Sequence, residues 1–469
     1  MWFLIVAGAL AIWAFAIAIV IILERRSAAA TLAWIMALMF LPVIGLVVYR
    51  LIGPLRLERK KLRRSANRRV IQEALGALAA LDADGAEHVQ LARVGMGLGE
   101  ASPLRADDVD VYFDGASAYE AILAAVGAAQ HHVHLEYYIW EPDTIGTRLR
   151  DLLIERARAG VTVRMVVDGA GSSHLSRQFL APLRAAGVAV AWFNPVQLGS
   201  LRLRRPDFRT HRKIVVCDGR VGFTGGMNIS DSHSAALSSA YWRDTHMRLT
   251  GAAVWGLQRL FIEDWNFASE TWCAIDPELF PAPSRSGSHL VQILGSGPDS
   301  DAYAIHKAVF TAVNQSTDRA WLTTPYFVPD EPLLAALVSA GLRDIDVRLI
   351  VPKRGDSHLV DLAARSYFPE LLAAGVRVYE YEPRFIHAKT VVCDSDVAVI
   401  GTANLDNRSF RLNFEVAAIV FGETVNRRLA DAFTDDLRVC REFTRSDLAA
   451  ERFGTRLGQA AARLISPLL

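Results

Sequence analysis

The sequence predicts an α/β protein with mixed sheets, built from two copies of one domain behind an N-terminal hairpin of two apolar helices. Three observations predict it. The run HRKIVVCDGRVGFTGGMN (211–228) is written again as HAKTVVCDSDVAVIGTAN (387–404), so that His211, Lys213, Asp218, Gly225 and Asn228 recur as His387, Lys389, Asp394, Gly401 and Asn404 at identical intervals. Around each copy, Val/Ile-rich runs of strand length alternate with helical stretches. The first 52 residues are two long apolar runs.

The hairpin comes first. WFLIVAGALAIWAFAIAIVIIL (2–23) has 22 residues and no charge, enough to cross a hydrocarbon core of ~30 Å. The second run, 31–52, is apolar up to Arg50 and holds Pro42, which a membrane helix tolerates when neighbours satisfy the freed carbonyl. A cleaved signal peptide is the competing reading, but no basic segment precedes the first run and its apolar core is too long. Residues 1–55 are therefore expected to hold two transmembrane helices, and 56–106 a basic neck and connector. Residues 1–69 carry 11 Lys/Arg against 2 Asp/Glu, a net of +9, so the other 400 carry −8 within the total of +1.

The basic cluster Arg56, Arg59, Lys60, Lys61, Arg63, Arg64, Arg68 and Arg69 outweighs Arg25 and Arg26 in the turn. The positive-inside bias then leaves the body on the cytoplasmic side of the membrane, as a multi-pass protein. The neck either lies on an anionic membrane surface, at about 1 kcal/mol per cation, or is a helix solvated all round. A mildly acidic body does not fit a nucleic-acid binder, which carries its basic face on the working domain.

The body repeats itself. AYEAILAAVGAAQHHVHLEYYIWEPD (118–143) has the order of 302–330, VTVRMVVDG (161–169) that of VRLIVPKRG (347–355), and APLRAAGVAVAWFNP (181–195) that of PELLAAGVRVYEYEP (369–383). The last pair is offset by 188 and the motifs by 176, so the first half carries a 12-residue insertion around QLGSLRLRRPDF, just before His211. Two similar domains follow, 107–290 and 291–469, rather than a solenoid, whose units are far shorter. A pseudo-twofold arrangement that brings the motifs together is the economical one. Cys217 and Cys393 occupy equal positions in apolar runs and read as small buried thiols, with no CxxC spacing among the four cysteines. In HHVH (131–134) only His132 and His134 share a face, and the matching strand has no His, so strand packing is favoured over a metal site.

In HxK on a strand, His and Lys face the same side. Two halves supply two imidazoles, two ammonium groups and two Asn amides, a site rich in positive charge and donors and suited to a phosphodiester. One His can attack phosphorus while the other protonates the leaving oxygen and deprotonates the acceptor. A nucleophilic His needs an acceptor on its second nitrogen. Asp244, 33 residues beyond His211, and Glu415, 28 beyond His387, are the candidates to orient them. No carboxylate pair or Cys/His cluster suggests a divalent ion, so no metal and no cofactor are expected. Lys213 and Lys389 stand in as charge clamps.

This doubled pattern, HxK(x)4D(x)6G(x)2N, resembles the signature of the phospholipase D superfamily. The two-span start, HVHLEYYIW, GGMNISD, WRDTH, GTANLDNRSFRLNFEV (401–416) and ARLISPLL resemble the bacterial cardiolipin synthases within it, over nearly the whole chain. The resemblance implies duplicated phospholipase D-like α/β sandwich domains. It also implies transfer of a phosphatidyl group between two phosphatidylglycerol molecules through a phosphohistidine. Membrane phospholipids would be the partners, without nucleic acid and with the oligomeric state open. On matching positions His211 would be the nucleophile and His387 the general acid/base, with Lys213, Lys389, Asn228 and Asn404 on the phosphate; which His attacks stays open. Asp218 and Asp394 complete the catalytic signature, yet their spacing points to structural support beyond the strand end. Thr210 departs from the Asn expected before the first His.

The rivals are a membrane-bound phospholipase D-type hydrolase or transphosphatidylase using another alcohol, a nuclease, and an inactive tethered binding protein. Two further expectations concern flanking segments. LRLRRPDF (201–208) borders the lipid entrance, and Phe453, Leu457, Leu464 and Leu468 form one helical face that packs on the second domain rather than entering the membrane interface.

Overall fold

The computed structural model describes residues 89–100, 102–195, 208–269, 271–282, 287–300 and 302–466, with scattered positions from 13 to 49. Both sheets lie within one compact unit. β1 (Leu104–Ala106) is followed by β2 (Val109–Tyr112), β3 (His132–Tyr137), β4 (Thr162–Asp168), β5 (Ala189–Phe193), β6 (Lys213–Cys217), β7 (Val221–Gly225) and β8 (His246–Thr250). The seven strands β2 to β8 form one sheet in the order β2-β8-β7-β6-β3-β4-β5. Helices Thr144–Arg158 and Arg177–Ala185 provide the crossovers that make β3, β4 and β5 parallel. The remaining pairs are antiparallel.

The second sheet draws on β9 (His289–Ser296), β10 (Arg319–Thr323), β12 (Asp346–Pro352), β13 (Arg377–Tyr381), β14 (Thr390–Cys393), β15 (Val397–Gly401), β17 (Glu415–Phe421) and β18 (Cys440–Phe443). Its order is β1-β9-β17-β15-β14-β10-β12-β13-β18, while β11 (Phe327–Val328) and β16 (Leu405–Asp406) pair separately. The seven strands from β9 to β13 repeat the first sheet position for position, parallel pairs included. β1 and the helix Val89–Gly97 come from the segment read as a connector, and Gln292 Nε2 donates to Ala92 O at 3.1 Å.

The period of two explains the packing of the motif strands. Ile214 and Val216 face a shared core with Val392, Ile400, Val416 and the helix residues Val254 and Leu257. Val215 and Cys217 face the outer helical layer with Leu149 and Leu153. Both motif strands are thus apolar on both faces, and polar chemistry is confined to their ends. Cys217 and Cys393 are free and buried, as expected.

Among the described residues, no helix is long and apolar enough to cross a membrane. The helix Ala28–Phe40 is the longest described part of the expected hairpin. About half of the two proposed spans, together with the basic neck 56–69 and the insertion residues 201–207, lies outside the described residues.

The expectation for the last helix is corrected. Phe453, Leu457 and Leu464 are 80%, 58% and 83% exposed, and Leu468 lies outside the described residues. The helix Phe453–Leu464 packs instead through Gln459, Ala462 and Gly458, the last approaching Leu362 of the helix His358–Arg365.

Candidate active site

The chain ahead of each HxK strand crosses to the other half. His211 N donates to Phe414 O at 2.8 Å and Phe414 N to Arg209 O at 2.8 Å. In the mirror-related place, Arg243 N donates to Phe385 O at 3.0 Å and His387 N to Arg243 O at 2.7 Å. Phe414 immediately precedes Glu415, and Arg243 precedes Asp244. The exchange therefore delivers each carboxylate to the histidine of the opposite half.

His211 Nδ1 lies 3.0 Å from Glu415 Oε2 and 3.0 Å from Thr402 O; His387 Nδ1 lies 2.7 Å from Asp244 Oδ2. With Nδ1–H donated, Nε2 is the bare nitrogen of each ring. Burial lowers the pKa of His211 below its ordinary range, against the raising effect of Glu415. Burial, reinforced by the Lys389 charge, holds His387 lower still. Burial would raise both carboxyls, but His387, Lys389 and the hydrogen bonds of His233 and His387 outweigh it and hold Asp244 well below the usual range. Against the same burial, the hydrogen bond of His211 and the Lys213 charge lower Glu415 as well. Both pairs are neutral imidazoles donating to ionised carboxylates.

The two histidines open on one cavity of about 450 Å³, where Asn228, Asn404, Trp242 and Tyr326 also contribute to the wall. Asn228 Oδ1 accepts from Ile139 N at 3.3 Å, which leaves its NH2 for the cavity. Among the described residues, Asn404 Oδ1 is buried without a hydrogen-bond partner. The lysines sit beneath, Lys213 Nζ donating to His211 O at 2.8 Å and Lys389 Nζ to His387 O at 2.5 Å. Burial pulls Lys213 down to about 7 and Lys389 down to about 8. The arrangement offers two nucleophilic or proton-carrying nitrogens and two side-chain amides on one cavity, with two buried cations bonded to the carbonyls of its histidines.

Asp218 and Asp394 are not brought to this cavity, which corrects their place in the catalytic set. They sit at the far ends of β6 and β14 with φ of 54° and 46°. Asp218 accepts from the backbone N–H of Gln130, His131 and His132, each at 2.8 Å. Asp394 takes Thr317, Asp318 and Arg319 at 3.1, 2.8 and 3.1 Å. Each thus fixes the start of the neighbouring antiparallel strand, β3 or β10. Thr210 turns its hydroxyl to the buried Glu136, away from His211.

His233 and Thr402 were missed in the sequence. His233 stands five residues after Asn228, where Ser409 stands five after Asn404, and both accept their asparagine's backbone N–H, at 3.3 and 3.1 Å. The shared offset was the available signal, hidden by the change of residue type. Thr402 donates to Glu415. Its counterpart Gly226 has no room for a side chain, since a Cβ there would meet Asp244 Oδ1 at 2.0 Å.

His233, Asp244 and His387 place ligand-type atoms within 4.8 Å of one another. The His387 Nδ1 to Asp244 Oδ2 separation of 2.7 Å is a hydrogen-bond length, shorter than the ~3.4 Å between two ligands of a tetrahedral ion. His132 and His134 are joined through Gln258 at 3.3 and 2.8 Å.

A duplicated α/β domain whose two HxK motifs share one cavity defines a protein of the phospholipase D superfamily. Within it, residues 122–238 and 309–437 match the family described as "Cardiolipin synthase, PLD-like domain", and 9–54 match "Phospholipase_D-nuclease N-terminal". The chain belongs to that cardiolipin synthase family. It is 39% identical to the cardiolipin synthase of Geobacillus kaustophilus, over 97% of this chain and 91% of that one. It is 38% identical to the major cardiolipin synthase of Bacillus subtilis, over 96% of each. The fold is shared with the solved phosphatidylserine synthase of Haemophilus influenzae (TM-score 0.60, 14% identity), covering 81% of this chain and all of that one.

Proposed function

We propose that the chain is a cardiolipin synthase, transferring a phosphatidyl group from one phosphatidylglycerol to a hydroxyl of a second and releasing glycerol. The observation that carries the reading is the crossed pair of histidine–carboxylate hydrogen bonds around one cavity. His211 Nε2 attacks phosphorus, the P–N bond forms, and the P–O bond to the glycerol headgroup breaks. His387, protonated once the anionic diester lies beside it, gives the Nε2 proton to the leaving oxygen. It then takes the proton of the second phosphatidylglycerol's hydroxyl, whose oxygen displaces His211 and forms cardiolipin. Lys213, Lys389 and the Asn228 and Asn404 amides neutralise and hold the phosphoryl oxygens. Carboxylates that keep both rings in one tautomer support this division of labour.

The apolar runs 2–23 and 31–52, with the match over 9–54, support a two-span anchor in the bacterial inner membrane, and the basic residues after 55 support a cytoplasmic body. The deciding experiment gives purified protein phosphatidylglycerol alone, with chelator. Cardiolipin and glycerol are expected in equal amounts. Phosphatidic acid as the main product would make the chain a hydrolase instead.

A further inference from the structure

We propose that the exposed face of the helix Phe453–Leu464 docks on an anionic lipid surface and holds the rim of the catalytic cavity against it. The reason for seating the cavity there rests on the lipid chemistry above; the surface itself rests on four observations.

The first is exposure without a packing role. Phe453, Leu457 and Leu464 are 80%, 58% and 83% exposed, and Ile465 just beyond is 37% exposed. At roughly 100° per residue, Phe453, Leu457, Ala460 and Leu464 fall in a sector of about 60°. The helix is held to the body by its other side. Arg463 donates to Ser366 O at 3.2 Å, pairs with Glu370 at 2.8 Å and lies 4.4 Å over the Tyr367 ring. The apolar stripe therefore contributes nothing to that attachment.

The second is charge. Arg452 and Arg456 are exposed and run along one flank of the stripe, while the helix itself holds no acidic residue. Glu451, just before it, accepts from Gln459 at 2.8 Å. A narrow apolar stripe edged by arginines suits the interface of a bilayer with anionic headgroups. A second copy of the same face would oppose arginine to arginine.

The third is continuity with the cavity. The helix His358–Arg365, on which the last helix packs, follows Asp356 and Ser357, and those two residues and Val360 line the cavity. Its Leu359 is 41% exposed. The fourth is a tie at the other end: Asn407 Nδ2 donates to Ser466 O at 3.4 Å, and Asn407 follows the cavity residue Asp406. The middle and the C-terminal end of the amphipathic helix are thus tied to segments that continue into the cavity wall.

The test uses the full chain with Cys440→Ser, a spin label on Leu464→Cys, and a control label on the exposed Glu120→Cys. In vesicles of phosphatidylglycerol and phosphatidylcholine, the label at 464 is expected to lose collisions with a water-soluble nickel complex by about fivefold and to gain them with oxygen, because such helices sink ~5–10 Å into the interface. The control keeps its nickel accessibility. A 464 label as accessible as the control in vesicles overturns the proposal. So does one already sheltered in vesicle-free solution, which would reveal a protein partner or second copy.

The triple variant Phe453→Glu, Leu457→Glu, Leu464→Glu gives an independent reading. Turnover on vesicles falls about tenfold, as expected from lost interfacial binding, while turnover of monomeric short-chain phosphatidylglycerol is unchanged. Equal losses in both assays would place the stripe in the fold and overturn the idea. A label at 464 that is buried in vesicles, with wild-type protein that makes no cardiolipin, would leave the surface standing and remove the proposed chemistry.

Discussion

His387 donates through Nδ1 to Asp244 at 2.7 Å, and His211 through Nδ1 to Glu415 at 3.0 Å, so each half of the chain orients the other half's imidazole. Neither half holds a complete site. Asp244→Asn and Glu415→Gln are each expected to lower kcat by about 10²–10⁴-fold, the range for losing a correctly held acid or base. KM is expected to change little, which steady-state kinetics on mixed micelles would show.

Gly226→Ala offers the same test without touching a titratable group. Its Cβ would meet Asp244 Oδ1 at 2.0 Å, so the carboxylate must leave its place beside His387. A loss of kcat close to that of Asp244→Asn is expected, with the His211 partner unaffected. Full activity would show that the carboxylate's position is immaterial.

The two histidines have separable signatures. His387→Ala should still form the covalent phosphatidyl adduct and turn it over slowly, whereas His211→Ala should form none. Intact-mass measurement after rapid quenching with phosphatidylglycerol reads both, and the reverse pattern would exchange the two roles.

The pH profile follows from burial. A lysine whose pKa is lowered keeps its charge below that pKa and loses it above. With Lys213 at about 7 and Lys389 at about 8, kcat/KM is expected to fall as pH rises through that range. A bound phosphodiester favours the charged forms, so the corresponding limb in kcat lies at higher pH. On the acid side, burial keeps His211 neutral below its ordinary range, and the limb should lie below pH ~6.5.

Asp394→Ala removes the acceptor of three backbone N–H groups at the start of β10. A loss of about 1–3 kcal/mol in stability is expected from unsatisfied donors, measured by denaturant unfolding. The kcat per folded molecule should stay within about twofold of the parent. A large fall in kcat at unchanged stability would return Asp394 to the catalytic set.

Much of this was legible in the chain. The duplicated His, Lys and Asn positions repeat at fixed intervals because one strand–turn–strand unit has to be rebuilt in each half, and the paired sheets follow it strand for strand. Asp218 and Asp394 belong to the same spacing for another reason: they cap neighbouring strands, and spacing alone cannot tell a cap from a catalyst. His233 was invisible because its partner in the repeat is Ser409, a different residue making the same bond.

The sequence by itself determined the doubled α/β unit and the recurring His, Lys and Asn positions, since strand periodicity and motif interval are local properties. The tertiary structure decided the crossing. Asp244 follows His211 and Glu415 follows His387 along the chain, yet backbone pairing of 209–211 with 414 and of 385–387 with 243 hands each carboxylate to the other half. It also decided which face of the last helix is buried: Gln459 and Ala462 turn inward, while Phe453, Leu457 and Leu464 face out. Both outcomes depend on contacts between distant segments, which no local pattern encodes.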